Sequence, residues 1–163
     1  MSASALTRRS FLALTLVATA SPARSRGRPK VVLDRLDFPS DVAAAGYYKK
    51  HLRRVLAREV RRVEWGAGRE NTIQYRFAIA KLDISIADDI MTVSCTAMGR
   101  LPGGRKAKSH LSFGGDPRKK TQVVSRVLEI VARGVVTRLA ELERVRRGDL
   151  EKSRVRAPRS TPD

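Results

Sequence analysis

The alternation of apolar and polar residues between Thr72 and Phe113 limits the fold of this chain more than any other feature. Apolar side chains fall on odd positions from Ile73 to Ile79 and on even positions from Leu82 to Ile86. A strand places successive side chains on opposite faces, so a one-residue slip reverses the face that it buries. The change of phase therefore predicts a β-bulge near Ala80 and Lys81.

Two turns divide the rest of this segment into further strands. Asp88-Asp89 follows the first long strand, and Leu101-Pro102-Gly103-Gly104 ends the next one. Asp and Gly favour tight turns because they accept backbone conformations that most residues avoid. We expect a strand with the apolar residues from Met91 to Ala97 on one face, and another strand from Arg105 to Phe113.

A long amphipathic helix is predicted before these strands. Ser40 and Asp41 offer an N-cap, and the helix runs to about Glu64, after which Gly66 and Gly68 stop it. Its apolar residues keep a spacing of three and four, which places them on one buried stripe. The stripe consists of Tyr48, Leu52, Val55, Leu56, Val60 and Val63.

A second amphipathic helix is predicted after the strands. Asp116 is its N-cap and Pro117 its first residue, where a missing N–H group is tolerated. Gly134 lies on the apolar stripe, where the missing side chain allows a close approach to the sheet, and Gly148 is the predicted end. The stripe consists of Val124, Val127, Leu128, Val131, Val135, Leu139 and Leu142.

The order of elements defines the fold class. Lys30 to Phe38 form a first strand, which Pro39 ends, so the order is β-α-β-β-β-α. This order predicts an α+β fold, a two-layer sandwich with a small, mainly antiparallel sheet and two helices on one face. We expect one domain over residues 31–147, a flexible basic linker at 21–30 and a disordered basic tail at 148–163.

The charge of the chain is strongly positive. Its 163 residues include 34 Lys and Arg but only 16 Asp and Glu, which gives a formal net charge of +18. Such a protein is attracted to polyanions, namely nucleic acid, anionic lipid head groups or cell-wall polymers. Most of the basic residues are Arg, as a GC-rich genome would produce without selection for binding. Both explanations stay open at this point.

The first twenty residues have the pattern of an export signal. Thr7-Arg8-Arg9-Ser10-Phe11-Leu12 precedes a short apolar stretch, and Ala18-Thr19-Ala20 forms a small-x-small cleavage site. The apolar stretch is about half of the roughly 20 residues that a membrane span requires. The segment resembles twin-arginine signal peptides: Arg8, Arg9, Phe11 and Leu12 match their motif, whereas Ala13 stands where lysine is usual.

The resemblance implies that the twin-arginine machinery exports the folded protein to the periplasm or out of the cell. Cleavage after Ala20 would then leave no stable membrane span. The alternative is a short amphipathic helix with two chance arginines. Cys95, the lone cysteine, is tolerated in an oxidising compartment if it is buried or used between chains.

Two clusters of cations are candidate polyanion-binding sites. The first cluster lies on the polar side of the first helix, which also carries Lys49 and Arg53. A charge run of this kind is usually a solvated face. The second cluster lies at the start of the last helix, where free N–H groups and the helix dipole favour anions, although Asp116 already occupies the cap. The candidates are Lys50, Arg54, Arg58, Arg61, Arg62, Arg118, Lys119 and Lys120.

Recognisable catalytic motifs are absent from the sequence. It contains no G-x-S-x-G, H-E-x-x-H, Walker A or C-x-x-C motif. His51 and His110 have no nucleophile or metal-ligand spacing around them and are expected to be solvated. Cys95 is expected to be a buried structural residue. We therefore assign no catalytic, cofactor-binding or metal-binding residue and expect no cofactor.

The element order over residues 30–146 resembles that of small envelope domains of the penicillin-binding-protein activator and TolB N-terminal type. The resemblance rests on no specific motif, so no functional residue is transferred from it. The sequence favours a non-enzymatic exported domain that binds an envelope protein or an anionic cell-wall polymer through a basic surface. The alternatives are a nucleic-acid-binding basic protein and a small hydrolase with an unrecognised site.

Overall fold

The computed structural model of the protein describes residues 27–66 and 72–156, the last eight of these by their backbone alone. The order of its elements confirms the predicted β-α-β-β-β-α succession. The elements are β1 (Val31–Asp37), α1 (Ala45–Arg62), β2 (Ile73–Ala87), β3 (Ile90–Arg100), β4 (Lys106–Gly115), a 3₁₀ turn (Pro117–Lys119) and α2 (Lys120–Arg156).

The strands form a four-stranded sheet in the order β1-β2-β3-β4. β1 and β2 are parallel because α1 carries the chain back to the end of the sheet at which β1 begins. The pairs β2–β3 and β3–β4 are antiparallel hairpins. α2 packs on β3 and β4, and α1 packs against α2. The result is the predicted α+β fold, with a mainly antiparallel sheet.

The phase change in β2 is a bulge, as predicted. The register with β3 shifts between Ile79 and Lys81. Side chains at odd positions from Ile73 to Ile79 are buried. After the bulge, the even positions face the core instead: Leu82 and Ile84 are partly buried against it, and Ile86 is exposed. β1 pairs with β2 only as far as Ala78.

Both predicted turns are confirmed. Asp88 and Asp89 have φ angles of 50° and 59°, and Gly103 and Gly104 have φ angles of 80° and 81°. This left-handed region is accessible to Gly at no steric cost and is tolerated by Asp. The two hairpins therefore form where the sequence supplies residues that accept these angles.

α2 buries nearly all of its predicted stripe. Six of the seven stripe residues, from Val124 to Leu139, are completely buried, but Leu142 is 36% exposed, so the prediction for Leu142 is wrong. At that turn of the helix, Ala140 and Glu143 are the buried residues instead. The buried stripe of α2 thus ends at Glu143, a charged residue that a search for periodically spaced apolar residues does not find.

Two glycines allow α2 to lie close to the sheet. A Cβ atom at Gly134 would lie 3.0 Å from Ser109 Oγ, which confirms the predicted close approach. A Cβ atom at Gly99 in β3 would lie 2.6 Å from methyl groups of Val135 and Leu139. A side chain at Gly99 would therefore require the two methyl groups to move, whereas one at Gly134 would require only a small shift of the Ser109 side chain.

α1 begins later and ends earlier than predicted. Ser40 and Asp41 do not cap it, because the chain first makes a turn in which Ala45 N–H donates to the Val42 carbonyl at 3.0 Å. Val42 packs against the core, and Ala44, at φ 61°, precedes the first helical residue without a side-chain cap. Tertiary packing of Val42 therefore overrides the local capping signal.

The boundaries of the domain also differ from the prediction. α2 passes through Gly148 and continues to Arg156. A Cβ atom at the exposed Gly148 would contact nothing within 4 Å, so this glycine costs only about 1 kcal/mol of helix propensity. At the other end, Pro29 is buried and the Lys30 carbonyl accepts a hydrogen bond from Ile73 N at 2.7 Å. The last residues of the predicted linker thus pack on the domain.

Candidate polyanion-binding surface

The predicted cations of the first helix lie on the side of α1 that faces away from the core. Tyr48, Leu52, Val55 and Leu56 bury the opposite side. Among the cations, Lys49 is half-buried. The exposed ones are Lys50, Arg53, Arg54, Arg58, Arg61 and Arg62.

Arg58 and Arg62 are engaged with a buried carboxylate. Glu59 is only 2% exposed, and its Oε1 lies 3.1 Å from Arg58 Nε and 3.5 Å from Arg62 Nη1. Arg133 Nε of α2 approaches Oε2 at 3.5 Å. Because an unpaired buried carboxylate would be strongly destabilising, the three arginines have a structural role, and Arg133 links α2 to α1 through Glu59.

The other exposed cations of α1 are not neutralised in this way. Lys50, Arg53, Arg54 and Arg61 have no carboxylate within ion-pair distance among the residues that the structure describes. From Lys50 to Arg61 they span about 16 Å of the helix axis. We call these four residues the α1 basic face.

A second buried carboxylate lies in the second half of α2. Glu143 is 2% exposed and is held by Arg105 Nη1 at 3.2 Å, Arg146 Nη2 at 2.6 Å and Arg147 Nε at 2.9 Å. Burial raises the pKa of Glu143, but the hydrogen bonds from Arg146 and Arg147 and the nearby positive charges outweigh burial and lower the pKa below its ordinary value. The carboxylate is therefore ionised and committed to the fold.

The sequence analysis missed both of these carboxylates. A signal for them was present: Glu59 follows Leu56 by three residues, and Glu143 follows Leu139 by four, so each occupies a stripe position. An acid on a buried stripe indicates an ion pair when arginines are available nearby.

The cluster at the start of α2 is separate from the α1 basic face. Arg118, Lys119 and Lys120 are exposed, and the Asp116 side chain caps the turn by accepting from Arg118 N at 2.9 Å, as predicted. Lys120 lies nine residues, or roughly 14 Å along the α2 axis, before Glu129, which is the α2 residue beside His51 and Arg58 of α1. The structure thus presents two cationic surfaces.

The remaining candidate groups are mostly structural. The prediction that His51 is solvated is wrong: its side chain is 19% exposed, and Nε2 lies 3.5 Å from Glu129 Oε1 because α2 covers this side of α1. His110 is exposed, with Nδ1 3.0 Å from Thr96 Oγ1. Cys95 is 1% exposed and burial raises its pKa to about 12, which fits the predicted structural role.

Within the described ranges, no group of three or more His, Cys, Asp or Glu residues could hold a metal ion. In those ranges, no helix has the length and apolar character of a membrane span. The signal residues lie outside the described residues. They are Arg8, Arg9, Phe11, Leu12, Ala18 and Ala20.

Comparison with known proteins gives only distant structural likeness. No protein-family model matches the chain, and no curated protein matches it. A minor lipoprotein from Acinetobacter baumannii is similar with 12% identity and a TM-score of 0.38, over 72% of this chain and 92% of the other. The PelC dodecamer from Paraburkholderia phytofirmans gives 13% identity and a TM-score of 0.41, over 72% and 95%.

A neuraminyllactose-binding hemagglutinin homologue from Helicobacter pylori is similar with 10% identity and a TM-score of 0.36, over 82% and 96% of the two chains. These TM-scores are too low to carry an argument about function.

Proposed function

We propose that this protein is an exported, non-enzymatic binding domain whose α1 basic face binds an anionic polymer of the cell envelope. The observation that carries the proposal is the set of exposed cations, Lys50, Arg53, Arg54 and Arg61, without a neutralising carboxylate among the described residues. Contact with a polyanion would release condensed counterions and so favour binding.

The ion pairs that hold α1 against α2 support the proposal. Arg133 of α2 pairs with Glu59 of α1 at 3.5 Å, and Arg58 of α1 lies 3.8 Å from Glu129 of α2. The four cations of the α1 basic face are thus displayed from a backbone that is already ordered. Less conformational entropy is lost on binding when the binding surface is ordered in advance.

The non-enzymatic part of the proposal rests on how the described polar groups are used. Glu59 and Glu143, the buried carboxylates, are each surrounded by three arginines. The Cys95 thiol is buried and protonated at neutral pH because burial raises its pKa to about 12. General acid–base or nucleophilic catalysis requires groups that are accessible and able to change protonation state near neutral pH.

Export is tested separately from binding. The twin-arginine machinery requires both arginines, so a variant with Arg8→Lys and Arg9→Lys should accumulate in the cytoplasm as an uncleaved precursor. Lysine keeps the charge and isolates recognition from general electrostatics. Fractionation with intact-mass measurement reports location and cleavage together, and normal export and trimming of this variant would refute the assignment.

Binding is tested by retention on heparin, DNA and purified cell wall at two salt concentrations. Replacing Lys50, Arg54 and Arg61 together by Gln should abolish retention on cell wall. Replacing Arg118, Lys119 and Lys120 together by Gln removes the same charge elsewhere and should leave most of the retention. The reverse result would move the site to the start of α2.

Two further outcomes decide between the broader alternatives. Stronger retention on DNA than on cell wall at the same salt concentration would favour a nucleic-acid-binding protein. An absence of retention on all three near physiological salt would refute polyanion binding and leave a protein partner as the remaining hypothesis.

A further inference from the structure

A groove separates the second half of α1 from the edge strand β1. Its volume is about 440 Å³, within the range of roughly 300–1,000 Å³ that is typical of small-molecule sites. A smaller depression of about 160 Å³, bounded by Pro29, Val63 and Trp65, shares Val31, Val60 and Arg61 with it. We call the two together the α1–β1 groove.

Aliphatic side chains form the walls of the groove. Val31, Leu33 and Leu36 line it from β1, and Ala57 and Val60 line it from α1. Val31, Leu33 and Val60 remain only partly buried, although they pack against the core. A small residue at position 57 leaves the space open, since a larger side chain there would fill it.

The rim of the groove is cationic. Arg53 and Arg61 line it, and neither has an acidic partner in the described part of the chain. Asp34 also lines the groove, but its Oδ2 is engaged by Arg76 Nε at 2.7 Å. The two free guanidinium groups would therefore favour an anionic group at the rim.

An aromatic residue of β2 also lines the groove. Tyr75 lines the groove, is 2% exposed, and makes no hydrogen bond with the described residues. Burial raises its pKa, so the hydroxyl stays protonated and can donate. The neighbouring Trp65 indole, by contrast, already donates to the Val60 carbonyl at 3.1 Å. The Tyr75 hydroxyl oxygen is not fully buried, so a ligand in the groove can accept a hydrogen bond from it.

We propose that the α1–β1 groove binds an amphiphile with a single acyl chain and an anionic head group. The chain lies along the aliphatic walls, because an apolar ligand gains by removing their exposed surface from water. The head group lies between Arg53 and Arg61, where a carboxylate or phosphate accepts charge-assisted hydrogen bonds. Arg53 and Arg61 also belong to the α1 basic face, but the acyl chain requires the groove itself, whereas the polymer does not, so filling the groove distinguishes the failure of one proposal from that of the other.

The test is titration calorimetry of the full chain with dodecanoate, kept below the concentration at which it forms micelles. Ala57→Phe fills the groove from an exposed position and should weaken binding by at least about tenfold. Arg53→Gln should also weaken binding by about tenfold, the loss of one charge-assisted hydrogen bond. Arg54→Gln removes the same charge from a residue that does not line the groove and should leave the affinity unchanged.

Further ligands and controls make the result decisive. Dodecanol lacks the charge and should bind more weakly than dodecanoate. A dodecanoyl lysophospholipid with an anionic head shares the proposed chemistry, and its affinity relative to dodecanoate shows whether the head is a lipid phosphate or a free carboxylate. Thermal unfolding shows whether each variant is folded. If Ala57→Phe does not fold, Arg53→Gln still tests the proposal.

Three results would overturn the proposal: no heat of binding with dodecanoate, equal weakening by Arg53→Gln and Arg54→Gln, or tighter binding of dodecanol. Retention of Ala57→Phe on heparin should match that of the unchanged protein. A loss of heparin retention in this variant would show that the groove and the polymer share one site, which contradicts two separate ligands.

Discussion

The two halves of this molecule are packed in opposite ways. Where α2 lies on β3 and β4, there is no space for even one methyl group at Gly99, since its Cβ would come within 2.6 Å of Val135 and Leu139. Where α1 lies over β1, a groove of about 440 Å³ remains, and Val31 and Leu33 stay partly exposed. The α2 side is therefore tightly packed, whereas the α1 side leaves space for a ligand.

The charges follow the same division. Glu143, in the second half of α2, is surrounded by three arginines from α2 and the β3–β4 connection. On α1, Arg53 and Arg61 border the groove and have no acidic partner among the described residues. Cations that compensate a buried acid stabilise the fold, whereas cations without such a partner remain available to a ligand.

The largest expected effect is a cavity on the α2 side. Leu128 is completely buried in the middle of the α2 stripe, so Leu128→Ala should lower the free energy of unfolding by about 2–5 kcal/mol. Arg126 has a side chain that is 65% exposed, and Arg126→Ala should cost well under about 1 kcal/mol. Chemical denaturation measures both losses, and equal losses would show that the helix is rotated and that Leu128 does not face the core.

The close approach at Gly99 gives the next largest effect. Gly99→Ala would place Cβ against two buried methyl groups, and the resulting overpacking should cost about 1–3 kcal/mol. Gly134→Ala is the matched control on the facing helix, where the new atom meets only the Ser109 hydroxyl at 3.0 Å and alanine favours the helix. A smaller loss for Gly99→Ala than for Gly134→Ala would contradict the tight packing.

The sequence predicted the packed half better than the open half. A period of three and four identified the buried residues of α2 from Val124 to Leu139, because a straight helix on a sheet repeats its buried face regularly. The phase change at Ala80 and Lys81 predicted the bulge in the same way. These features depend on short-range periodicity, which the sequence contains.

The features of the open half arise from packing between distant segments. The start of α1 depends on Val42 reaching the core, and His51 is covered because α2 lies beside it. The groove forms where β1, α1 and Tyr75 come together and where position 57 carries a small residue. Sequence periodicity identified the cations of α1 but gave no indication of which ones Glu59 would neutralise.

A pH-dependent effect comes next in size. The pKa of Glu143 is lowered in the folded protein, so its contribution to stability is present above the ordinary value of 4.5 and is lost as the pH falls through the folded pKa. Glu143→Gln should therefore cost about 1–3 kcal/mol at pH 7 and progressively less below pH 4.5. Urea denaturation at several pH values measures the difference, and a cost that does not change with pH would contradict the ion-pair role.

The smallest effect is expected in the groove. Ala57 is exposed and borders open space, so Ala57→Phe should change the free energy of unfolding by less than about 0.5 kcal/mol, as is usual for surface positions. The added ring has room, unlike the methyl group at Gly99, and it covers Val31 and Leu33 instead of displacing them. Thermal and urea denaturation of Ala57→Phe beside Gly99→Ala therefore compare the two halves directly. If Ala57→Phe lowers the free energy of unfolding as much as Gly99→Ala does, the groove is closed in solution and the contrast between the two halves does not hold.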